Sequence, residues 1–403
     1  MRFSRQLVIL VGGKGTRLGS HTAKSPKPLM EISEGRVFLD YFLQSAVRQG
    51  FDRVLMLAGH MGEQVKARYH GKSFGGAQIE VIIEPEPMGT GGAFRFALDR
   101  LDETFVAANG DTLFDTNLRA LDHGLNSQPD LMASLAVRQV PDSGRFGSVD
   151  VQSGRIVAFR EKDPAAGPGL INGGLYALRR EAIAGLPEGS SSIEADLFPQ
   201  LAAQGRLGAQ VSDGYFLDIG LPDTLERARR ELPALKRPAL FLDRDGVINQ
   251  DINYLHRIDD FLWIDGAIDT IRRANDRGMA VIVVTNQSGV ARGFYNEADV
   301  AALHTHIQSE LNAQGAFIDN FYYCPYHADA TIDRYRVPDH PDRKPNPGMI
   351  QRAAREHNID LSRSVLIGDQ PSDMAAARAA GIKGCLFTDG DLVKFIDAQG
   401  VFQ

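Results

Sequence analysis

Gln6-Leu-Val-Ile-Leu-Val-Gly-Gly-Lys-Gly-Thr-Arg-Leu18 decides how the first part of the chain is read. A short, unbroken apolar run rich in β-branched residues is what a strand buried on both faces of a parallel sheet looks like. Gly12, Gly13 and Gly15 follow it and let backbone N–H groups close on an anion such as a polyphosphate without Cβ obstruction. Lys14 and Arg17 add positive charge. The loop fits neither the GxxxxGKS/T phosphate loop nor the GxGxxG dinucleotide fingerprint, and a tight turn after a strand needs glycine in any case.

Outward from this strand, apolar runs alternate with helical patterns along the whole chain, the signature of α/β architecture with largely parallel sheets. Strands are expected at residues 6–11, 53–58, 79–83, 104–108 and 131–137. A helix is expected at 37–49, with Phe38, Phe42 and Ala46 on one stripe and Gly50 as its stop. Residues 148–152 and 155–160 form a hairpin around Ser153-Gly154 set into the same sheet. After a strand at 216–219 and a charged helix at 222–230, the proline-bracketed stretch 231–238 reads as a linker. Strands then restart at 239–242, 280–285, 317–323, 365–367 and 384–387, and Val300, Leu303, Ile307 and Leu311 mark one helix face. The reading is two α/β domains, 1–233 and 239–403, joined by 234–238.

Composition sets the outer limits. The chain has 403 residues, 43% hydrophobic and 24% charged, which excludes disorder, collagen-like repeats and a small disulfide scaffold. Its net charge of −7 argues against a nucleic-acid-binding surface. No apolar run approaches the roughly 18–20 residues that cross a bilayer, and the opening run is read as a strand rather than a secretion signal. Two cysteines, Cys324 and Cys385, fit a reducing compartment. The expectation is a cytoplasmic protein acting on small molecules, with neither nucleic acid nor membrane as partner.

Further motifs follow the glycine loop in order: Ser25-Pro-Lys-Pro-Leu29, Glu86-Pro-Met-Gly-Thr-Gly-Gly-Ala93, Asn109-Gly-Asp111, Glu161-Lys162, Ile171-Asn-Gly-Gly174, Ser192-Ile-Glu-Ala-Asp196 and Leu217-Asp-Ile-Gly-Leu-Pro222. Together they resemble the sugar-nucleotide pyrophosphorylase (nucleotidyltransferase) family over nearly the whole first half. The resemblance implies a Rossmann-like mixed sheet and attack of a sugar 1-phosphate oxygen on the α-phosphorus of a nucleoside triphosphate, where catalysis is positioning and charge neutralisation. It implies Asp111 and Asp218 as Mg²⁺ ligands, hard donors for a hard cation. Arg17 and Lys27 fall to the triphosphate and leaving pyrophosphate. Gly12, Gly13, Gly15, Thr16, Gly89, Thr90 and Asp111 fall to the nucleotide. Lys162 falls to the sugar phosphate, with Glu161, Asn172 and Gly173 near the sugar hydroxyls. Read singly, Asn109-Gly-Asp111 is a plain turn, Asp218 a helix cap and Lys162 a solvated charge. Within the family, Glu84-Pro-Glu-Pro-Met-Gly-Thr-Gly-Gly, Asp142-Ser-Gly-Arg-Phe-Gly147 and Leu170-Ile-Asn-Gly-Gly-Leu-Tyr are most similar to heptose 1-phosphate guanylyltransferases. Mannose 1-phosphate guanylyltransferases and glucose 1-phosphate thymidylyltransferases are close neighbours. Guanine is what the resemblance implies; the spacings do not determine the base.

The second half carries Phe241-Leu-Asp-Arg-Asp-Gly-Val-Ile-Asn249, Val284-Thr-Asn-Gln-Ser-Gly289, Arg343-Lys-Pro-Asn-Pro-Gly348 and Ile367-Gly-Asp-Gln-Pro-Ser-Asp373. An aspartate at the end of a buried strand sits at the carboxyl edge of a parallel sheet, where doubly wound folds bind ligands. The ordered set resembles the haloacid dehalogenase superfamily of phosphohydrolases. It implies Asp243 as nucleophile and Asp245 as general acid and then base. Mg²⁺ is implied on Asp243, the Asp245 carbonyl and Asp369, and Asp373 is read as a ligand, an outer carboxylate or a helix N-terminal residue. Thr285 and the Asn286 N–H orient the phosphoryl group and Lys344 neutralises it; Gln287, Ser288, Arg292 and Arg343 are candidates for substrate contact, the two arginines for phosphate. The span from Asp243 to Thr285 is too short for a large inserted cap, so an open site with a minimal cap is expected. The narrower resemblance is to heptose bisphosphate 7-phosphatases and histidinol-phosphate phosphatases.

Relatives of that kind often carry a zinc loop, C-P-x-H closed by C-x-C. Here the stretch reads Cys324-Pro-Tyr-His327 and then Pro338-Asp-His-Pro-Asp342, without the closing cysteines. The preferred reading is a loop without metal, packed by Tyr322, Tyr323, Tyr326 and Tyr335. A tetrahedral Zn²⁺ site of Cys324, His327, His340 and Asp342 is the alternative. The two halves read as successive steps: removal of the 7-phosphate from D-glycero-D-manno-heptose 1,7-bisphosphate, then guanylyl transfer from GTP to heptose 1-phosphate. The enzymatic competitor is another sugar nucleotidyltransferase of the mannose/GTP or glucose/dTTP type fused to a histidinol-phosphate-like phosphatase. A non-catalytic binding protein is the other, against which the intact Lys27, Asp111, Asp243, Asp245, Lys344 and Asp369 speak.

Overall fold

A computed structural model describes residues 3–402 apart from 14–17, 19–23, 145–147 and 161–166. The chain divides into two compact units, Met1–Ala234 and Leu235–Gln403. In the first, Gln6–Leu10 lies in the middle of a sheet, parallel to Arg53–Ala58 on one side and to Thr104–Asn109 on the other, with Leu7 opposite both Val54 and Val106. Ala77–Ile83 extends the parallel part. Alternate residues of the central strand feed opposite faces, as the period of two requires: Leu7 and Ile9 join Phe38, Phe42 and Leu43 in one core, and Val8 joins Leu55, Phe94 and Phe105 in the other.

The rest of this sheet is antiparallel or mixed. Gly169–Arg179 runs antiparallel to Thr104–Asn109, then Ala133–Val140, Leu207–Val211 and the hairpin Arg155–Arg160 with Ser148–Gln152 follow, ten strands in all among the described residues. The sequence reading does not foresee Gly169–Arg179, because Gly173 and Gly174 interrupt its β pattern. They mark a bulge: between Asn172 and Tyr176 the pairing with Ala133–Val140 shifts register, and Gly174 has φ +75°. Outside the main sheet, Thr112–Phe114 pairs antiparallel with Phe216–Asp218 and sets Asp218 opposite Thr112.

The second unit holds five parallel strands in the order Asn320–Cys324, Ala280–Asn286, Ala239–Leu242, Val365–Gly368, Lys383–Leu386. Ala239–Leu242 is central and fully buried, Leu240 and Leu242 facing one core and Ala239 and Phe241 the other. The strand expected at 317–323 starts only at Asn320. Phe317 is buried, but its N–H donates to Asn275 Oδ1 (2.9 Å) and its carbonyl accepts from Asn275 Nδ2 (3.0 Å), so a side chain replaces the ladder there. The expected linker is largely absorbed as well: Asp360 N–H donates to the Arg237 carbonyl (2.9 Å) and Asn358 Nδ2 to that of Leu235 (2.7 Å). Between Asp243 and the helix Ala267–Asp276 the chain makes loops and one 3₁₀ turn, Ile258–Asp260, with no inserted cap domain.

Leu242→Ala should cost the second unit about 2–5 kcal/mol, the range for a buried leucine whose cavity cannot collapse. Hydrogen exchange should report it as faster opening of Ala280–Asn286, with Gln6–Leu10 keeping its protection. Equal loss in both strands would show that the two cores do not melt separately.

Candidate active sites

The first site opens at the carboxyl ends of the parallel strands. A cleft of about 520 Å³ is lined by the loop after Gln6–Leu10, by Lys27 and Pro28, by Glu84, Gly89 and Thr90, and by Asp111 and Gly220. Gly12 packs closely against its surroundings: a Cβ there would meet Gly59 N at 3.2 Å and Glu84 Oε1 at 3.0 Å, and Gly59 has the reciprocal contact at 3.0 Å. Gly13 faces open space. Gly89 has φ +69°, and a Cβ on it would collide with the Ser191 carbonyl oxygen, so the start of the helix Gly89–Phe96 seats directly on residues 189–191. Thr90 lines the cleft, with its hydroxyl donating to Glu194 Oε2 at 2.6 Å.

Pro26 and Pro28 stiffen the 3₁₀ turn that carries Lys27, which is buried. Its ammonium lies 2.6 Å from Asp111 Oδ2 and 3.4 Å from Asp218 Oδ1. The small sheet explains why these aspartates converge from distant parts of the chain: Asp218 pairs with Thr112, and Ile219 N–H donates to the Asp111 carbonyl at 3.1 Å. Sequence reasoning leaves Glu84 without a role. It follows the strand Ala77–Ile83, accepts from Met88 N–H (3.2 Å), and burial pushes its carboxyl up. Its signal was positional, a carboxylate just past a parallel strand.

Asn172 turns inward rather than presenting its amide: its Nδ2 donates to Tyr176 OH (3.2 Å) and its Oδ1 accepts from Gly174 N–H (2.9 Å). Gly173 gives room to Phe114, whose ring would lie 2.5 Å from a Cβ. Both residues therefore shape the bulge. Gly15, Thr16, Arg17, Glu161 and Lys162 lie outside the described residues.

The second site lies at the carboxyl ends of Ala239–Leu242, Ala280–Asn286 and Val365–Gly368. Its cleft of about 260 Å³ is lined by Asp243, Asp245, Thr285, Asn286, Gln287, Ser288, Lys344 and Asp369, with Asp251, Asn253 and Tyr254 among the other lining residues. Asp243 N–H donates to the Ile367 carbonyl (2.9 Å), tying the DxD turn to the strand before Asp369. Gly246, with φ +80°, admits Asp369, whose Oδ2 would lie 2.5 Å from a Cβ. Lys344 is delivered by reciprocal bonds: Asn286 Nδ2 donates to its carbonyl (3.0 Å) and its N–H donates to Asn286 Oδ1 (3.1 Å). The Asn286 side chain thus positions the lysine, leaving the expected phosphate role to its backbone.

Lys344 Nζ sits 2.8 Å from Asp243 Oδ2 and 2.6 Å from Asp373 Oδ1, all three buried. Burial pushes the Asp243 carboxyl up and the Lys344 charge pulls it back. Burial works against Lys344 as well, yet Asp243 and Asp373 hold its pKa above the ordinary range. Asp373 also accepts from Gln370 N–H (3.0 Å) at the start of the helix Pro371–Ala380, so it is both helix cap and ion-pair partner. Carboxylate oxygens of Asp243, Asp369 and Asp373 lie within 4.8 Å of one another, and Asp369 Oδ1 is buried with no hydrogen-bond partner. Three hard donors, one of them orphaned, fit a divalent cation such as Mg²⁺. The Asp245 carboxylate turns away from that cluster to Arg244 (2.9 Å), Gln287 (2.9 Å) and Asn249 (3.0 Å). In the first unit, two carboxylates converging on one cation have the same donor chemistry.

Three groups of residues named from the sequence stand apart from the reacting centre. Gln287 lines the cleft, but its amide is taken up by Arg244, Asp245, Thr285 and Tyr295, so it organises the site from beneath. Arg292 and Arg343 do not line this cleft among its described lining residues; burial, together with the Arg292 charge, lowers the Arg343 pKa. Three of the four residues of the alternative zinc site are engaged otherwise. His340 stacks on Tyr326 at 4.1 Å and its Nδ1 accepts from Asp342 N–H, Asp342 pairs with Arg352 (2.9 Å), and His327 Nδ1 accepts from Asp329 N–H (3.0 Å). Tyr326 also packs on Tyr335.

The profile of the nucleotidyl transferase family matches residues 6–234, and a HAD-hydrolase-like profile matches 342–392. The chain is 48% identical over 164 residues to a D-glycero-β-D-manno-heptose-1,7-bisphosphate 7-phosphatase of Rhodopseudomonas palustris, 40% of this chain and 90% of that protein. It is 44% identical over 148 residues to a D-glycero-α-D-manno-heptose-1,7-bisphosphate 7-phosphatase of Burkholderia mallei, 37% of this chain and 78% of that protein. Among solved structures, HddC from Yersinia pseudotuberculosis is 30% identical, covering 57% of this chain and 98% of that one with a TM-score of 0.49.

Asp369→Asn should weaken Mn²⁺ binding by the second unit roughly tenfold or more, since it removes a ligand oxygen from a site of few donors. A titration followed by electron paramagnetic resonance should resolve this class from the one that Asp111→Asn removes. Unchanged Mn²⁺ stoichiometry and affinity in Asp369→Asn would contradict the assignment.

Proposed function

Because the chain belongs to the nucleotidyl transferase family through its first unit and to the family of the heptose bisphosphate 7-phosphatases through its second, we propose that it performs two successive steps on one sugar. The second unit hydrolyses the 7-phosphate of D-glycero-D-manno-heptose 1,7-bisphosphate. The first unit then transfers GMP from GTP to the remaining 1-phosphate, giving GDP-heptose and pyrophosphate. One observation carries the pairing: a phosphatase that leaves a sugar 1-phosphate is continuous with a unit whose family takes that kind of acceptor.

In the phosphatase, an Asp243 oxygen attacks phosphorus and the bond to the sugar oxygen breaks, forming an aspartyl-phosphate. Asp245 gives its proton to the departing oxygen, then takes one from water, which attacks the aspartyl-phosphate and releases phosphate. Lys344, the Thr285 hydroxyl and the Asn286 N–H hold the phosphoryl oxygens. Asp243, Asp369 and the Asp245 carbonyl would hold Mg²⁺, which supplies the positive charge that lets a carboxylate approach a phosphate.

In the transferase, Lys27 and Arg17 neutralise the triphosphate, Gly12 and Gly13 offer backbone N–H groups, and Asp111 and Asp218 would hold the second Mg²⁺. Glu161 and Lys162 remain the proposed sugar contacts. Glu84 supports guanine. Guanine presents N1–H and its amino group on one edge, two donors that one carboxylate accepts together. Thymine and uracil set a single N–H between two carbonyl oxygens, which a carboxylate repels. Two buried cysteines, both free, and the absence of any described helix long and apolar enough to cross a membrane support a cytoplasmic place with small molecules as partners.

Asp243→Asn should abolish phosphate release, because an amide is no nucleophile, while guanylyl transfer to supplied heptose 1-phosphate continues; Asp111→Asn should do the reverse. Loss of both activities in either folded variant would overturn the two-site scheme. The same Asp243→Asn protein, given the bisphosphate and GTP, should make little nucleotide sugar if hydrolysis comes first, since the 7-phosphate brings up to about two extra negative charges. Glu84→Gln should reduce the preference for GTP over dTTP by about tenfold or more, from losing one charged acceptor. An unchanged preference would remove Glu84 from base selection.

A further inference from the structure

Arg244 stands between the two aspartates of the DxD turn, and its side chain is fully buried, 0% exposed. Its guanidinium donates to Asp245 through Nε (3.1 Å) and Nη2 (2.9 Å), and Nη2 also donates to the Leu255 carbonyl (3.1 Å) and Gln287 Oε1 (3.1 Å). Tyr295 OH donates to the same Gln287 oxygen at 2.7 Å. Two donors on Oε1 fix which way the amide faces. Gln287 Nε2 is thereby aimed at Asp245 Oδ2 (2.9 Å) and Thr285 Oγ1 (2.9 Å). Thr285 Oγ1 accepts this bond, so its own O–H is left to donate into the cleft. Gly289 permits the arrangement, since a Cβ there would collide with the Tyr295 ring.

We propose that Arg244, Tyr295 and Gln287 form a positioning relay that presents the Asp245 carboxyl to the departing sugar oxygen. This rests on the reading of Asp245 as the acid–base residue. Arg244 touches no reacting atom; it acts through the residues it holds. The loop bearing Asp251, Asn253 and Tyr254 is anchored by the same guanidinium through Leu255, so the rim of the cleft and its acid share one support.

A buried ion-pair partner with a merely structural role would lower activity on every substrate alike. A positioning role depends on the leaving group. Formation of the aspartyl-phosphate from a sugar phosphate needs a proton on the departing oxygen, whereas p-nitrophenyl phosphate expels a stable phenolate without one. The test compares kcat/KM on heptose 1,7-bisphosphate and on p-nitrophenyl phosphate in the full chain and in Asp245→Asn, Arg244→Lys and Tyr295→Phe. Asp245→Asn should lose at least about 10²-fold on the heptose substrate and far less on the nitrophenyl ester. Arg244→Lys should follow the same pattern, losing about 10²-fold against a few-fold. Tyr295→Phe, which preserves the packing, should lose about three- to tenfold on the heptose substrate alone, the effect of one neutral hydrogen bond. Equal losses on both substrates in Arg244→Lys and Tyr295→Phe, with Asp245→Asn still discriminating, would overturn the relay. No discrimination by Asp245→Asn would instead refute the acid assignment beneath it. If Arg244→Lys does not fold, Tyr295→Phe decides alone.

Discussion

Each unit keeps a buried lysine between two aspartates at the carboxyl edge of its sheet: Lys27 with Asp111 and Asp218, Lys344 with Asp243 and Asp373. A lone ammonium in either place would be costly to bury, and in the second unit so would the buried Asp243 and Asp373 without a cation. The surrounding architecture answers that constraint. Prolines stiffen the turn beneath Lys27, a two-stranded sheet brings Asp218 to Asp111, and the Asn286 amide clamps the backbone of Lys344. The parallel strands supply what the ions need, an edge where several chain ends meet and backbone groups remain available.

The architecture was legible where local chemistry decides it. The run 6–11 and the restart at 239 announce central parallel strands, since only a strand covered on both faces is apolar throughout. Where side chains override the pattern, the sequence misleads. Phe317 is apolar and buried but bonds to the Asn275 amide, and Gly173 and Gly174 conceal the strand Gly169–Arg179 by being the bulge within it. Both depend on partners far away in the chain.

The site residues divide in the same manner. Asp243, Lys344 and Asp369 stand in motifs whose order alone brings them to one sheet edge, and the structure gathers them. Glu84 and Arg244 escape such reading because their roles come from the fold; one is defined by facing a cleft, the other by being covered completely. Gln287 shows the converse error, since a polar residue beside a phosphate motif suggests contact with substrate, yet all its hydrogen-bonding capacity is directed inward.

In the first cleft Lys27 offsets one of the two negative charges of Asp111 and Asp218. A polyphosphate that draws the ammonium to itself strands two negative charges a few ångströms from its own. It gains by entering only if it brings compensating positive charge, so a bare anion meets a net penalty while an anion escorted by a cation does not. On the proposed reading, the cleft would admit an anion by ion exchange, the charge of an accompanying cation taking the place of the lysine's.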